Sequence, residues 1–365
     1  CPVGSCSLRA AVMQANVIPG IEVTIIVPSG IYALTRPPTV ADGDDNGDLN
    51  LTTPLSGNPF ITIAGAGAAS TIIDAHQIDR VLSVGVNRTA NISGVTIRNG
   101  LRLGQLGGGV YNDGILLIAD CVIEGNRNDN DGGGIYNKGT LNITRSTIRA
   151  NLANVGGGLY VYGPTTIHNS TLSDNGAFYG GGIATSPLGI NANLTIVNST
   201  ISQNYANDDG GGIYNQGSSF VYNTSIIDND ADHDRDSIYG GIGGGVNVPV
   251  GSKFLAVNTL IARITILNSS IYDDCHGELE VDGSNRLGDL TGCTFTGNGV
   301  NGRGLIALNS FGPLQYNGGP TQTHALLAGS LAINDTFTQG CVDETLATLT
   351  TDQRDQLRII NRSGE

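Results

Sequence analysis

Short runs of alternating apolar and polar residues recur along the middle of the chain. In the segment TLNITRSTIRAN, Leu141 and Ile143 are each followed by a polar residue, which is the period-two pattern of a strand with one buried face. Ile148 opens a second apolar run a few residues later, after a corner. The pattern predicts short strands that are joined by tight turns and that bury one face each.

Two short motifs recur at the same intervals as these runs and indicate that the chain is built from repeats. The first motif is a glycine triplet, which begins at Gly107, Gly132, Gly156, Gly180, Gly210 and Gly243. The second motif is a corner asparagine, which recurs at Asn126, Asn151, Asn175, Asn204 and Asn229. The L-x-x-L-x-L frame of leucine-rich repeats is absent from the repeats, and Gly occurs 54 times in the chain. The repeats therefore consist of strands and turns.

A right-handed parallel β-helix, an all-β solenoid, accounts for this content. Three short strands make one coil, and successive coils stack at roughly 4.8 Å, the usual spacing between neighbouring strands. We expect an N-terminal cap over residues 1–58, coils over 59–274 and an irregular C-terminal capping segment with a tail over 275–365. An amphipathic helix over Cys6–Asn16, with Leu8 and Val12 on one face, is predicted to cover the open end of the stack.

The five corner asparagines are predicted to form an internal ladder. Asparagine tolerates the left-handed backbone region, and its side-chain amide can hydrogen-bond to the equivalent residue in the coils above and below. The polar tail of the chain carries one apolar patch at Leu357, Ile359 and Ile360. This tail has two readings, because it can cover the last coil of its own subunit or add to a neighbouring subunit.

Composition narrows the class of protein. The formal net charge is −14, which disfavours nucleic acid or an anionic membrane as a partner and is compatible with calcium. No apolar run approaches the length that is needed to span a bilayer. We expect a secreted protein that lies outside the cell or on its surface.

Six cysteines without metal-binding spacing suggest disulfides. The predicted pairs are Cys1 with Cys6 and Cys275 with Cys293. Cys121 lies inside a repeat and is expected to be a buried free thiol. An alternative for Cys1 is that it carries a lipid anchor.

An acidic loop near the start of the chain matches part of a calcium-binding pattern. Side chains of Asp42, Asp44 and Asn46 and the carbonyl of Asp48 follow the spacing D-x-[DN]-x-[DN]-G, which wraps oxygen atoms around one hard cation. Thr53 stands at the twelfth position, where a bidentate Glu is usual. The sequence thus predicts a calcium site here, and the alternative is an acidic loop of the cap.

Carboxylates in the loops before the glycine triplets are the candidates for chemistry on this scaffold. No catalytic residue is assigned, but if the protein is an enzyme the residues to test are Asp208, Asp209, Asp232 and Asp234. Turns select Asp for backbone reasons alone. Calcium or ligand binding and simple solvated loops are the alternatives.

Tyrosines one position beyond the inward aliphatic residue are expected to point outward in a stripe, which Ala184 interrupts. The stripe consists of Tyr111, Tyr136, Tyr160 and Tyr214. Such a row can stack on polysaccharide, form a lateral protein interface or stabilise the sheet by stacking of ring on ring.

Both ends of the chain carry motifs that resemble known families. The first end resembles the CSLREA domain of secreted bacterial β-helix proteins, although Ala10 stands where that family has Glu. The motifs that carry this resemblance are CSLRA at Cys6–Ala10, GDLNLT at Gly47–Thr52, TIIDA at Thr71–Ala75 and ISGVTIRNG at Ile92–Gly100.

The repeats are similar to the glycine-rich and FxxN motifs of polymorphic outer membrane proteins. The segment Gly312–Asp335 and the TDQR at Thr351–Arg354 resemble the end of the proteins called choice-of-anchor Q, with SLAIND where the family usually has SPAID. These resemblances imply export and a surface setting, and they imply no particular reaction.

A secreted structural or adhesive surface protein is the function that these features favour, with self-assembly into filaments or a surface layer. The expected partners are other copies of the chain and extracellular polysaccharide. Two alternatives use the same scaffold. One is a polysaccharide-active enzyme, a lyase or glycoside hydrolase, and the other is a calcium-dependent glycan-binding module.

Overall fold

The computed structural model is a mostly β parallel solenoid of about eight turns, and the part of the chain that it describes contains a single helix, near the N terminus. It describes residues 6–38, 46–52, 60–188, 192–234, 241–262, 274–303, 310–330, 332 and 340–358. The predicted β-solenoid is confirmed.

The helix spans Leu8–Val17 and closes the N-terminal end. Ser7 caps it, because the Ser7 hydroxyl oxygen accepts a hydrogen bond from the Ala10 N–H at 3.2 Å. The helix buries Leu8, Val12 and Ala15 against the first strands of the solenoid. The amphipathic pattern therefore predicted this element correctly.

Each coil contributes strands to three faces. The first face follows the glycine triplets and contains Leu49–Leu51, Leu82–Val84, Val110–Asn112, Ile135–Asn137, Leu159–Val161, Ile183–Thr185, Ile213–Asn215 and Val246–Val248. The second face contains Val23–Val27, Phe60–Gly65, Thr89–Ser93, Ile115–Ala119, Thr140–Thr144, Thr165–His168, Asn193–Val197, Ser218–Tyr222 and Lys253–Val257. The third face contains Gly30–Ala33, Thr71–Asp74, Thr96–Arg98, Val122–Glu124, Thr147–Arg149, Thr171–Ser173, Thr200–Ser202, Ser225–Ile227, Leu260–Ala262, Ser284–Leu287 and Val300–Arg303.

Strands stack in strict parallel register, so equivalent residues of successive coils lie above one another. On the third face, Ile123 pairs with Ile97 on one side and with Ile148 on the other, and all three side chains are fully buried. Two short pairs lie outside the faces, Leu101–Arg102 with Arg127–Asn128 and Gly176–Ala177 with Tyr205–Ala206. The inward rows form one continuous apolar column along the axis.

Parallel stacking continues beyond residue 274, the predicted end of the coils. The strand Cys275–Asp282 pairs with the last strands of both the first and the second face. Cys293–Thr296 then adds to Cys275–Asp282, and a disulfide joins Cys275 to Cys293, as predicted. The loss of the glycine triplet hid these last strands from the sequence pattern.

Asparagines at the corner between the third and first faces form a buried ladder. Asn126 Nδ2 donates to Asn151 Oδ1 at 3.0 Å, and the same bond recurs from Asn151 to Asn175, from Asn175 to Asn204 and from Asn204 to Asn229. Each Nδ2 also donates to a backbone carbonyl one coil away. A second, shorter ladder begins where Asn112 Nδ2 donates to Asn137 Oδ1 at 2.7 Å, and the sequence analysis missed it.

The C-terminal tail folds back along the side of its own solenoid. A hairpin of Phe311–Gln315 and Thr323–Leu326 lies on the third face, where Phe311 packs against Ile227 and Leu260. The following residues reach the second face, where Val342 packs against Tyr222. The described part of the tail thus packs on its own subunit, as one of the two readings expected, but on middle coils instead of the last one. Ile359 and Ile360 of the predicted apolar patch lie outside the described residues.

Candidate functional site

Tyrosines of the first face stack directly on one another. The ring centroids of Tyr111 and Tyr136 are 5.7 Å apart at an interplanar angle of 4°, and those of Tyr136 and Tyr160 are 5.1 Å apart at 5°. These rings meet because strand register places them in adjacent coils of one row. At the N-terminal end, the Arg80 guanidinium lies 5.2 Å from the centre of the Tyr111 ring.

Neighbouring groups therefore cover both faces of the Tyr111 and Tyr136 rings and one face of Tyr160. Tyr136, between two rings, is only 7% exposed, and burial raises its pKa and that of Tyr160. A sugar stacks on an open ring face, which Tyr111 and Tyr136 do not offer. The geometry agrees best with the stabilising reading of the stripe.

Tyr179 compensates for the gap that Ala184 leaves in the row. Its ring stacks on Tyr214 at 5.2 Å, and Phe178 supports it edge-on at 4.9 Å. The tyrosine pattern of the sequence did not include Tyr179, because this residue belongs to a different row. That row is the position directly before each glycine triplet, and it pairs Asp131, Val155 and Tyr179 across coils.

A carboxyl pair lies beside this second group of rings. Asp209 Oδ1 accepts a hydrogen bond from the Ile242 N–H at 3.1 Å, and the Asp208 carboxyl is its neighbour. Burial, reinforced by the neighbouring Asp208 carboxyl, raises the pKa of Asp209 to about 6. Burial and a hydrogen bond to Asp208 raise the pKa of the Tyr179 hydroxyl to about 12. Asp209 can therefore hold a proton in mildly acidic solution.

The other two predicted carboxylates are placed differently. The Asp232 N–H donates to the carbonyl of Asp208 at 3.3 Å, so the two residues are neighbours through the backbone. Asp234 lies in an exposed turn at the end of the same segment. The structure therefore brings Asp208 and Asp209 into one carboxyl pair, and it places Asp232 against their backbone and Asp234 at the surface.

Half of the predicted calcium site falls on Asp42 and Asp44, which lie outside the described residues. The Asp48 carbonyl, a predicted ligand, accepts a hydrogen bond from Arg9 Nη1 at 2.7 Å. Arg9 also donates to the carbonyl of Asn46 at 3.2 Å, and the Asp48 carboxylate lies 3.6 Å from Arg80. Guanidinium groups thus engage the described half of the loop, and a calcium site here stays a prediction.

The remaining cysteines have distinct surroundings. Cys1 lies outside the described residues, so its predicted pairing with Cys6 stays a prediction. Cys121 is a free thiol at 2% exposure, and burial raises its pKa to about 12. Cys341 is also free and is half-buried.

Neither a metal-binding cluster nor a membrane-spanning helix occurs among the residues that the structure describes. In the part of the chain that the structure describes, no three His, Cys, Asp or Glu side chains converge as a metal-binding group. The helix found in those ranges, Leu8–Val17, is too short to cross a bilayer.

No family model and no curated protein matches this sequence. The solved structures that resemble it include the following two. The crystal structure of pectate lyase Pel9A is 13% identical and has a TM-score of 0.45, and the match covers 98% of this chain and 84% of that one. Pectin methylesterase PemA from Erwinia chrysanthemi is 10% identical and has a TM-score of 0.34, with coverages of 84% and 88%. The likeness concerns the β-solenoid fold alone.

Proposed function

We propose that this chain is an extracellular structural or adhesive surface protein, built as a rod that holds a binding surface in place. One observation supports the proposal above all: rows of side chains connect successive coils. Asparagines run along one corner, stacked tyrosines along the first face, and ion pairs such as Arg145–Asp120 and Arg149–Glu124 along the third. Such repetition suits a rigid scaffold, because each coil is stabilised by its neighbours.

The disulfide Cys275–Cys293 supports an extracellular setting, since disulfides persist in oxidising compartments. Self-assembly by exchange of the tail would require Gln353 to leave its own solenoid. Its Nε2 donates to the Ser170 carbonyl at 3.1 Å and to Thr171 Oγ1 at 3.0 Å, and its Oε1 accepts from Thr200 at 2.7 Å. Lateral contact between rods is therefore the route of assembly that we propose.

Adhesion is the direct test. Beads that carry the full chain are compared with beads that carry heat-unfolded chain on surfaces coated with extracellular polysaccharide, with and without a calcium chelator. We expect folded chain to be retained at least tenfold better, and loss of retention in chelator would assign the binding to calcium. Equal retention of folded and unfolded chain would overturn the adhesive role. Electron microscopy of the same protein at micromolar concentration tests lateral assembly, for which isolated rods would be the contrary result.

A second candidate function is acid–base cleavage of a polysaccharide at the Asp208–Asp209 pair. The raised pKa of Asp209 and the adjacent Tyr179 hydroxyl favour it, because a general acid works best when its pKa lies near the working pH. The test is release of reducing ends, and of unsaturated uronate products, between pH 4 and 8. Cleavage that is lost in both Asp208→Asn and Asp209→Asn would establish this function, and a flat response across neutral and uronate polymers would eliminate it.

A further inference from the structure

A polar groove crosses the third face on the side that the tail leaves open. Its volume is about 370 Å³. Its floor contains four outward positions of one row, Ile72, Thr96, Val122 and Thr147, which register places in consecutive coils. Tyr316 and Pro320, from the turn of the tail hairpin, stand at the groove. In the next coil of the same row, Thr171 Oγ1 donates to the Gln322 carbonyl at 2.6 Å, so the tail occupies the row from there on.

Two ion pairs between successive coils contribute to the lining of the groove. Arg145 donates from Nε to Asp120 Oδ1 at 2.8 Å and from Nη2 to Oδ2 at 2.6 Å. Arg149 donates from Nε and Nη2 to Glu124 Oε2, at 2.9 and 2.7 Å. Paired bonds of this kind fix the plane of each guanidinium. The polar groups of the groove are therefore held in place before any ligand binds.

Hydrogen-bonding capacity remains in both pairs. Among the described residues, Nη1 of Arg145, Nη1 of Arg149 and Oε1 of Glu124 have no hydrogen-bond partner. Donors and an acceptor thus lie in the same short groove. The two arginines and the two carboxylates cancel in formal charge, although the whole chain carries −14. Such a groove offers a charged polymer little net electrostatic attraction.

We propose that this groove binds a neutral oligosaccharide. A sugar hydroxyl both donates and accepts, so neighbouring hydroxyls can accept from the arginines and donate to Glu124. Tyr316 is 61% exposed and stacks on no other ring among the described residues, so its face is open to the apolar face of a sugar. This inference deepens the proposed adhesive role and rests on it.

An extended polypeptide fits the groove less well. Peptides that add to a sheet bind its free edge through backbone hydrogen bonds. The floor strand Val122–Glu124 is paired on both sides, with Thr96–Arg98 and with Thr147–Arg149. Its backbone groups are therefore already used, and only side chains remain to recognise a ligand.

Calorimetry on the full chain tests the inference, with maltotetraose, cellotetraose, mannotetraose and xylotetraose as probes and trigalacturonate as the charged comparison. We expect saturable binding of at least one neutral probe. Tyr316→Ala and Glu124→Gln should each weaken it about tenfold, whereas Tyr316→Phe, which keeps the ring, should stay within about twofold.

The matched control is Lys138→Gln. Lys138 forms an equally exposed ion pair between coils, with Asp113 at 2.7 Å, and it lies outside the groove, so its loss should leave the affinity unchanged. Thermal unfolding of every variant separates lost binding from lost folding.

Unchanged saccharide binding in each of the two variants, Tyr316→Ala and Glu124→Gln, would overturn the inference. So would a chain that binds only trigalacturonate, or one that binds no saccharide. In each of these cases, continued retention of the folded chain on coated surfaces would show that the adhesive role stands without this groove. Loss of both retention and saccharide binding would overturn the two proposals together.

Discussion

Asn175 Oδ1 accepts two hydrogen bonds from Asn151, one from the backbone N–H at 3.1 Å and one from Nδ2 at 3.0 Å. Both residues are fully buried. One side-chain oxygen thus satisfies two buried donors of the neighbouring coil, which explains why the corner of each repeat contains asparagine.

Replacing Asn175 by Ala should be among the most damaging single changes in the solenoid. It would leave two buried donors of Asn151 without an acceptor, at a cost of about 3 kcal/mol in the free energy of unfolding. The midpoint of urea unfolding measures this. Asn142→Ala, at an exposed strand position, is the control and should cost about 0.5 kcal/mol or less. Equal shifts for the two variants would show that the ladder contributes little.

Stacking of Tyr136 can be separated from its burial. Tyr136→Leu keeps much of the apolar burial but loses two stacked ring pairs, which should cost about 2 kcal/mol. Tyr136→Phe keeps both pairs and should stay closer to the parent chain. The free energy of unfolding in urea of both variants tests this. If the Leu variant is as stable as the Phe variant, burial of the side chain and not ring stacking accounts for the contribution of Tyr136.

Asp209 should make stability depend on pH. Burial raises its pKa in the folded chain to about 6, above its ordinary value of 3.8, so the folded state favours the protonated form. This contribution is complete below pH 3.8 and is lost as the pH rises through 6. Asp209→Asn, which keeps an acceptor for the Ile242 N–H, should therefore raise the melting temperature relative to the parent chain at pH 8 but not at pH 3.5. A gain of equal size at both pH values would contradict the assignment.

His324 should make attachment of the tail sensitive to acid in the opposite sense. Its Nδ1 lies 2.7 Å from the Gly312 carbonyl, its Nε2 lies 2.8 Å from Ser202 Oγ, and burial lowers its pKa below 6.5. The neutral ring favoured by the folded state contributes stability above pH 6.5, which is lost as the pH falls towards the folded pKa. The hydrogen-exchange protection factors of residues 311–326, which are corrected for the pH dependence of the intrinsic exchange rate, should fall between pH 7 and 5, and less so in His324→Gln. The exposed His233, as His233→Gln, provides the control.

Motifs that are far apart in the sequence meet in the structure, and this explains part of their residue choice. Arg9 of CSLRA donates to the carbonyls of Asn46 and Asp48 in the following loop. Gln353 of TDQR donates to Oγ1 of Thr321 at 2.9 Å, and Thr321 is the first residue of the segment TQTH at Thr321–His324. These motifs hold the cap and the tail to the solenoid, which is a structural role that the sequence alone did not assign.

The coil could be predicted from the residue pattern alone, because a period in the sequence becomes a repeat in the strand register. Asn126 and its equivalents, the helix Leu8–Val17 and the disulfide Cys275–Cys293 followed from local pattern and spacing. Contacts between different rows and between the tail and the coils could be seen only in the folded structure. They depend on coils of unequal length that lie side by side. Tyr179 stacks on Tyr214 only after folding. The tail packs on middle coils through contacts between residues more than 100 positions apart, such as Thr171 with Gln322. No local period encodes such contacts.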